Sequence, residues 1–415
     1  MIDSRRHIVV AGAGVAGLET ALALHALAHE YVTVELLAPE QEFSYRPLAV
    51  AEPFQAGEVR RFPLDRLVHA AGAELRNGTL VGVDADAKQA LLADDQSVAY
   101  DALVLALGGQ PHEAVPGALT FRGPEDRTAL ADLLERVTAG EMRRLVFAVP
   151  PAASWPLPLY ELAFLAGEYV SEHLTRGVEL VVVTPEERPL MLFGSAASDT
   201  IAELLELRGI HAETASTPRS WADGSLSLDG GRKLAADAVV ALPALKGPPI
   251  RGIPQDDAGF VAADALGGVI GFTDVYAAGD LTQSPVKQGG LAAQQAEVVA
   301  TAIAIEAGAP VQLTPYRPVL RGLLLTGMAS RFLRSEGETS IVDTQPLWWP
   351  PAKIVGRYLS PFLAQQLGLT TTLAEPPTDA IPIEVALHTP DHSTWSPSKQ
   401  RLAPSTSQLG RPAPG

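Results

Sequence analysis

Residues 7–20 read HIVVAGAGVAGLET. An apolar run leads into Gly12, Gly14 and Gly17 at G-x-G-x-x-G spacing, and an alanine-rich stretch follows. Each glycine has its own physical reason. Gly12 lets the chain turn tightly out of a strand, Gly14 leaves the backbone bare for a pyrophosphate, and Gly17 lets a helix lie close to the sheet. The helix that begins there presents free N–H groups and the positive end of its dipole. A second apolar run at 31–37 (YVTVELL) completes a βαβ unit. That context turns a common glycine turn into a dinucleotide-binding signature.

Composition narrows the rest. A chain of 415 residues, 47% of them hydrophobic, is long enough for two or three domains with ample cores. The net charge of −17 argues against nucleic acid and anionic lipid as electrostatic partners. The chain has no cysteine, which excludes a disulfide couple, a persulfide, thiolate ligands and thioether-linked cofactors. It also fits a reducing compartment, and the cytoplasm is expected. Ser4, Arg5 and Arg6 superficially resemble a twin-arginine signal. The apolar run behind them is the first strand and phosphate loop, so cleavage would destroy the site, and export is not expected. No stretch is long and apolar enough to span a bilayer.

A carboxylate about twenty residues beyond the glycines should meet ribose hydroxyls. Glu35, Glu40 and Glu42 qualify, and Glu40, just past the strand end, is favoured. Arg46 follows in the proline-stiffened FSYRPL loop, where it could face a pyrophosphate, a flavin carbonyl or solvent. Residues 73–100 alternate between turns and read as an antiparallel meander. The buried run YDALVLALGG then ends at Gly108 and Gly109, where backbone can run close to a ligand.

A second βαβ unit follows: a strand at 145–149, a helix at 157–174 and a strand at 179–184. Its turn reads VPPAASWPLPLYE, without G-x-G-x-x-G. Prolines remove N–H donors, so this turn cannot cradle a pyrophosphate in the usual way. ADAVVALPALKG at 236–247 repeats the pattern of YDALVLALGG, which implies a duplicated architecture with the second copy inside the first. FTDVYAAGDLT at 272–282 places Gly279-Asp280 at a strand end, suited to cofactor hydroxyls. In PVKQGGLAAQQAE, Gly289 and Gly290 open a helix whose N-terminus can face developing negative charge.

From residue 315 strands are expected, then a helix from about Lys353 with Ile354, Tyr358, Leu359, Phe362 and Leu363 on its apolar face. That face could dock on the protein, on a twin subunit or on a membrane surface; core packing or a dimer contact is preferred, so a homodimer stays open and membrane contact is not indicated. Trp348 and Trp349 suit either a planar cofactor or a core contact. Residues 388–415, rich in Pro, Ser and Thr, read as a disordered tail with Trp395 as its one anchor.

AGAGVAGLE, LVLALGG and TDVYAAGD, in this order, resemble the flavoproteins of the pyridine nucleotide–disulfide oxidoreductase superfamily over residues 1 to about 315. The resemblance implies an α/β fold: two Rossmann-like dinucleotide-binding domains, the second inserted in the first, plus a C-terminal α+β domain. The expected boundaries are 1–112 with 236–315 for the FAD domain, 113–235 for the second domain, and 316–387 for a flavin-covering or dimer domain. By the same resemblance Gly12, Ala13, Gly14, Val15, Ala16 and Gly17 hold the FAD pyrophosphate, and Val81 lies near the adenine. Ala106, Gly108, Gly279, Gly290 and Leu291 line the cofactor, with Asp280 on the ribityl chain.

VVVTPE and the proline-rich turn are similar to sulfide:quinone oxidoreductases and flavocytochrome c sulfide dehydrogenase flavoproteins, and FSYRPL is similar to the loop of sulfide:quinone oxidoreductases and type II NADH dehydrogenases. Gln294 and Gln295 match a glutamine pair beside the quinone site of the last group. The redox cysteines of the sulfide enzymes are missing, and Trp155 stands where one would be. Sulfide oxidation by that route is therefore excluded, and FAD should be non-covalent. What is implied is an FAD enzyme moving electrons from a small donor to a quinone or similar acceptor. Lys287 and the helix start at 290–295, Gln294 included, would stabilise the reduced flavin, while Trp348, Trp349 and Lys353 would shape the substrate face. An NAD(P)H dehydrogenase and a non-catalytic FAD-binding protein are the alternatives.

Overall fold

In a computed structural model the described residues are 5–151, 153–313 and 315–367. The expected disordered tail, with Trp395, lies outside them.

The first lobe is built on a parallel five-stranded sheet in the order Val275–Ala277, Ala102–Leu105, Arg6–Ala11, Val32–Ala38 and Glu74–Asn77. Arg6–Ala11 is central, and Val10 lies between Leu36 and Val104. Ile8 and Val10 point into one core cluster, Val9 and Ala11 into the one on the opposite face. Burial on both faces explains why this strand reads as a continuous apolar run. The helices in chain order are α1 (Val15–Ala28), α2 (Leu64–Ala70), α3 (Arg127–Thr138), α4 (Leu157–Glu172), α5 (Ser195–Leu207), α6 (Gly289–Glu306) and α7 (Leu359–Gln366). α1 packs on α6 through small residues such as Ala21, Ala296 and Ala300. The meander of Leu80–Asp84, Gln89–Leu92 and Ser97–Ala99 covers the other face. The stretch at 74–77, expected in the meander, instead pairs parallel to Val32–Ala38 and extends the main sheet.

The second lobe repeats the plan. Its parallel sheet runs Leu119–Thr120, Ala238–Ala241, Arg144–Ala148, Glu179–Val183 and Ile210–Glu213. Ala238–Ala241 is a strand of this sheet, so 236–241 sits with the second lobe rather than the first. Its register against Leu145–Ala148 decides that. The chain crosses between lobes on two stretches that pair antiparallel, Gln110–His112 with Ala244–Lys246.

The C-terminal part is an antiparallel sheet of Leu320–Leu324, Arg331–Glu336 and Thr339–Asp343, followed by an irregular segment and α7. The helix expected from Lys353 begins only at Leu359. Ile354 therefore lies outside it; its carbonyl and the Gly356 N–H are held by the Ser360 hydroxyl at 2.9 and 2.7 Å. Leu359 and Leu363 pack into the first-lobe core, with Tyr358 and Phe362 at its edge. Among the described residues no helix is long and apolar enough to cross a membrane.

Candidate functional site

The carboxyl ends of the first-lobe strands open onto a long cleft. One part has a volume of about 470 Å³ and the adjoining part about 780 Å³; Gly14, Phe43, Ser44, Arg46, Ala106 and Gly108 line both. Ligands of open α/β sheets bind at this edge.

The glycines divide by cause. A Cβ on Gly17 would lie 1.8 Å from the Gly12 carbonyl oxygen, and one on Gly12, where φ is +108°, 2.4 Å from that of Ala106. Both are required by the protein's own packing. A Cβ on Gly14 would meet nothing within 4 Å. Its φ of −78° suits any residue, and α1 begins there with no side-chain cap. The bare site faces the cleft, as do Ala13, Val15 and Ala16. An uncapped helix start beside open space is what a pyrophosphate needs.

At one end of the cleft Glu40 is exposed and lines the wall with Thr79 and Leu80. Glu35 is ion-paired with Arg76 at 3.2 Å and lies 3.2 Å from the His7 ring, which leaves Glu40 and Glu42 facing the cleft. Val81 lies outside the lining: its carbonyl accepts from the Arg251 N–H at 3.0 Å. Arg46 lines the cleft while pairing with Glu125 at 3.0 Å.

At the other end are Gly279, Asp280, Lys287, Gln288, Gly289 and Lys353. Asp280 follows the strand Val275–Ala277, and the Gly279 N–H donates to Gln295 Oε1 at 2.7 Å, fixing the turn. Burial pushes the Asp280 carboxyl up to about 6, with Lys287 pulling the other way. Lys287 is 7% exposed. Its ammonium donates to the Thr282 carbonyl and sits 3.5 Å from the centre of the Phe260 ring. Burial lowers it to about 8 against the opposing pull of Asp280 and Asp256. Gln288 caps α6 by accepting from the Leu291 N–H at 2.9 Å. That bond uses the Leu291 amide, and the Leu291 side chain packs into the second-lobe core. Gly289 and Ala292 therefore line the cleft where Gly290 and Leu291 were expected.

Two further expectations fall away from the cleft. The Gln294 amide bonds the backbone of Gly290 and, in both directions, Val319, at 2.8–3.0 Å; it ties α6 to the C-terminal sheet. Trp348 packs edge-on against Phe332 and donates to the Ala352 carbonyl at 2.9 Å. Neither lines the cavity. The physical reason is that the segment carrying Trp348 folds onto its own sheet.

Lys353 does reach the cleft. Its ammonium donates to both oxygens of Glu161, at 2.5 and 2.6 Å, and to the Pro47 carbonyl at 3.1 Å. The Glu161 side chain is 1% exposed and also accepts from the Leu325 N–H at 2.9 Å. Burial raises its carboxyl, and Lys353 opposes this. Around the pair the wall is apolar: Trp155, Leu157, Pro158, Leu245, Leu323 and Ile354. Glu161 escaped the sequence reading, although its signal was present as the lone acidic residue in LPLYELAFLAG. A charge inside an apolar helix face requires a partner.

The second lobe is differently equipped. Glu186, just past the strand Glu179–Val183, turns inward and accepts from Tyr160 Oη at 2.7 Å and Thr184 Oγ1 at 2.9 Å. Burial raises its carboxyl. Pro156, with no capping side chain, precedes α4, and Pro158 supplies no N–H in its first turn.

The first-lobe side of the cleft fits FAD along its length: bare Gly14 and the uncapped α1 would take phosphates, with Glu40 at one end and Asp280 at the other for hydroxyls.

Residues 6–146 match the family model described as pyridine nucleotide-disulphide oxidoreductase. Demethylphylloquinone reductase NdbB of Synechocystis is 28% identical over 306 residues, covering 68% of this chain and 72% of that protein. An NADH dehydrogenase-like protein of Mycobacterium tuberculosis is 25% identical over 298 residues, covering 66% and 72%. The sulfide:quinone oxidoreductase structure from Aquifex aeolicus superposes with a TM-score of 0.74 at 18% identity, covering 81% and 86%. NDH2 of Plasmodium falciparum in complex with NADH gives 0.65 at 13% identity, covering 89% and 95%.

Proposed function

We propose that this chain, an oxidoreductase of the pyridine nucleotide-disulphide oxidoreductase family, passes electrons from a small-molecule donor through non-covalent FAD to a quinone or similar acceptor. The family binds FAD and has NAD(P)H-using members. When bound, FAD supplies the two-electron chemistry. The protein's residues bind, orient and shield. Gly12 to Ala16 and the start of α1 hold the phosphates, Glu40 and Asp280 accept from hydroxyls, and Lys287 with the start of α6 sets positive potential at the far end.

The observation that carries the reading is the apolar wall around the buried Lys353–Glu161 pair. It suits a flat, weakly polar reactant such as the one named in the demethylphylloquinone reductase relative. Lys353 has three N–H donors and three acceptors, so its role is to hold the wall in place. With no cysteine in the chain, electrons cannot pass through a thiol.

A second reading, NAD(P)H as the donor, is favoured by the NADH dehydrogenase-like relative. The proline turn weighs against it, because it leaves no phosphate loop there, and Glu186 is turned inward onto Tyr160. Anaerobic mixing with NADH or NADPH decides: fast bleaching of the flavin band establishes the second reading for the donor. Quinone-dependent reoxidation of the photoreduced protein is expected under both. If no quinone accelerates it, the acceptor is wrong.

A further inference from the structure

The segment that carries Lys353 and Ile354 into the cleft is fastened from behind by carboxylates. Glu19 lies on α1 and is fully buried. Its Oε1 accepts from the Tyr358 N–H and its Oε2 from the Leu359 N–H, both at 2.8 Å. Glu297 on α6 accepts from the Arg357 N–H at 3.2 Å and lies close enough to Glu19 to act on its charge. The fit is close, since a Cβ on Gly356 would lie 2.4 Å from Glu19 Oε2. From this anchor the bonds run forward. Ser360 Oγ joins Gly356 to Ile354, the Ile354 N–H donates to Tyr45 Oη at 2.9 Å, and Lys353 reaches Glu161 and Pro47.

We propose that Glu19, sharing one proton with Glu297, is a positioning residue that docks residues 354–359 and thereby sets Lys353 and Ile354 at the cleft, and that the docking loosens when both carboxylates are ionised. The proposal rests on the reading of the cleft as the reacting site only for its consequence, not for its test.

The charged and titratable groups around Glu19 are Glu297 from α6 and Arg357 and Tyr358 from the segment itself. Arg321, on the first C-terminal strand, faces Glu297. Among the described residues no cation forms an ion pair with Glu19. Its backbone donors, Tyr358 and Leu359, favour the carboxylate, but complete burial and the neighbouring Glu297 outweigh them and raise Glu19 to about 7. An exposed glutamate titrates near 4.3. The docked state therefore binds the proton more tightly. Docking is fully supported below the ordinary glutamate range and is lost as pH rises through about 7.

Hydrogen exchange on the full-length, FAD-loaded protein tests this through the amides of Tyr358 and Leu359, corrected for intrinsic rates. Protection should fall about tenfold between roughly pH 6 and pH 8.5. Glu19→Gln keeps one oxygen acceptor, enough for one of the two amides, and cannot ionise, so the protection that amide retains should be insensitive to pH. Glu19→Ala should lose protection at both values, and rescue by Gln separates positioning from bulk. If Glu19→Ala does not fold, the Gln variant alone decides. Unchanged wild-type protection across this range, or the same pH dependence in Glu19→Gln, overturns the proposal.

Discussion

Gly14 and Gly17 look alike in a motif and differ in three dimensions. A Cβ on Gly17 meets the Gly12 carbonyl, whereas one on Gly14 meets open space. Gly17→Ala should therefore destabilise the flavin-free protein by about 2–3 kcal/mol through overpacking. Gly14→Val should leave flavin-free stability nearly unchanged and abolish flavin retention. Urea melts and flavin titration of the two variants check this contrast. Asp280 shows the opposing demands of stability and binding. Its carboxyl is raised by burial to about 6, above the ordinary value near 3.9. In the flavin-free protein its stabilising effect is complete below that ordinary value and is lost as pH rises through about 6. Lys287, lowered to about 8, titrates above this window. Flavin-free Asp280→Asn should thus gain on wild type in melts between about pH 4 and 7, while binding FAD roughly 10- to 100-fold more weakly, the worth of a hydrogen bond to a charged acceptor.

Among the elements, α4 and α1 each bury one carboxylate among apolar side chains, Glu161 and Glu19. Both fasten parts of the C-terminal segment, one by an ammonium and one by backbone amides. Lys353→Met strands Glu161 without its cation and should cost about 3–5 kcal/mol. The penalty should shrink as pH falls, because the raised Glu161 carboxyl then takes up a proton that the unfolded chain still releases. Glu161→Gln combined with Lys353→Met should recover most of the loss in the same denaturation assay. α1, α4 and α6 were legible because apolar runs and glycine or proline turns mark them locally, whereas α2 and α5 were not read from the sequence. The start of α7 was not, because Gly356 and Ser360 hold the preceding turn through a bond network that no periodicity records.

For the whole molecule, the cleft draws its walls from the first lobe, the turn before α4 and the C-terminal segment together. A ligand that binds only this assembled state adds to its stability by mass action. FAD at about one hundred times its dissociation constant should contribute roughly 2.7 kcal/mol. Scanning calorimetry of flavin-free and loaded protein should register this as a rise in Tm that tracks free FAD. The gain should vanish in Gly14→Val, whose flavin-free melt matches wild type.

The chain's order of glycine turns, apolar runs and the Gly279-Asp280 strand end determined a two-lobed Rossmann-like fold and the bare, uncapped start of α1, since those features act within a few residues of themselves. Tertiary structure alone decided which groups meet across 192 and 340 residues of sequence, as the Lys353 ammonium meets Glu161 and the Leu359 N–H meets Glu19. It also decided that Gln294 and Trp348 serve the scaffold and not the cleft. Such pairings depend on how separate elements stack, and a buried carboxylate in a linear sequence announces only that a partner must exist.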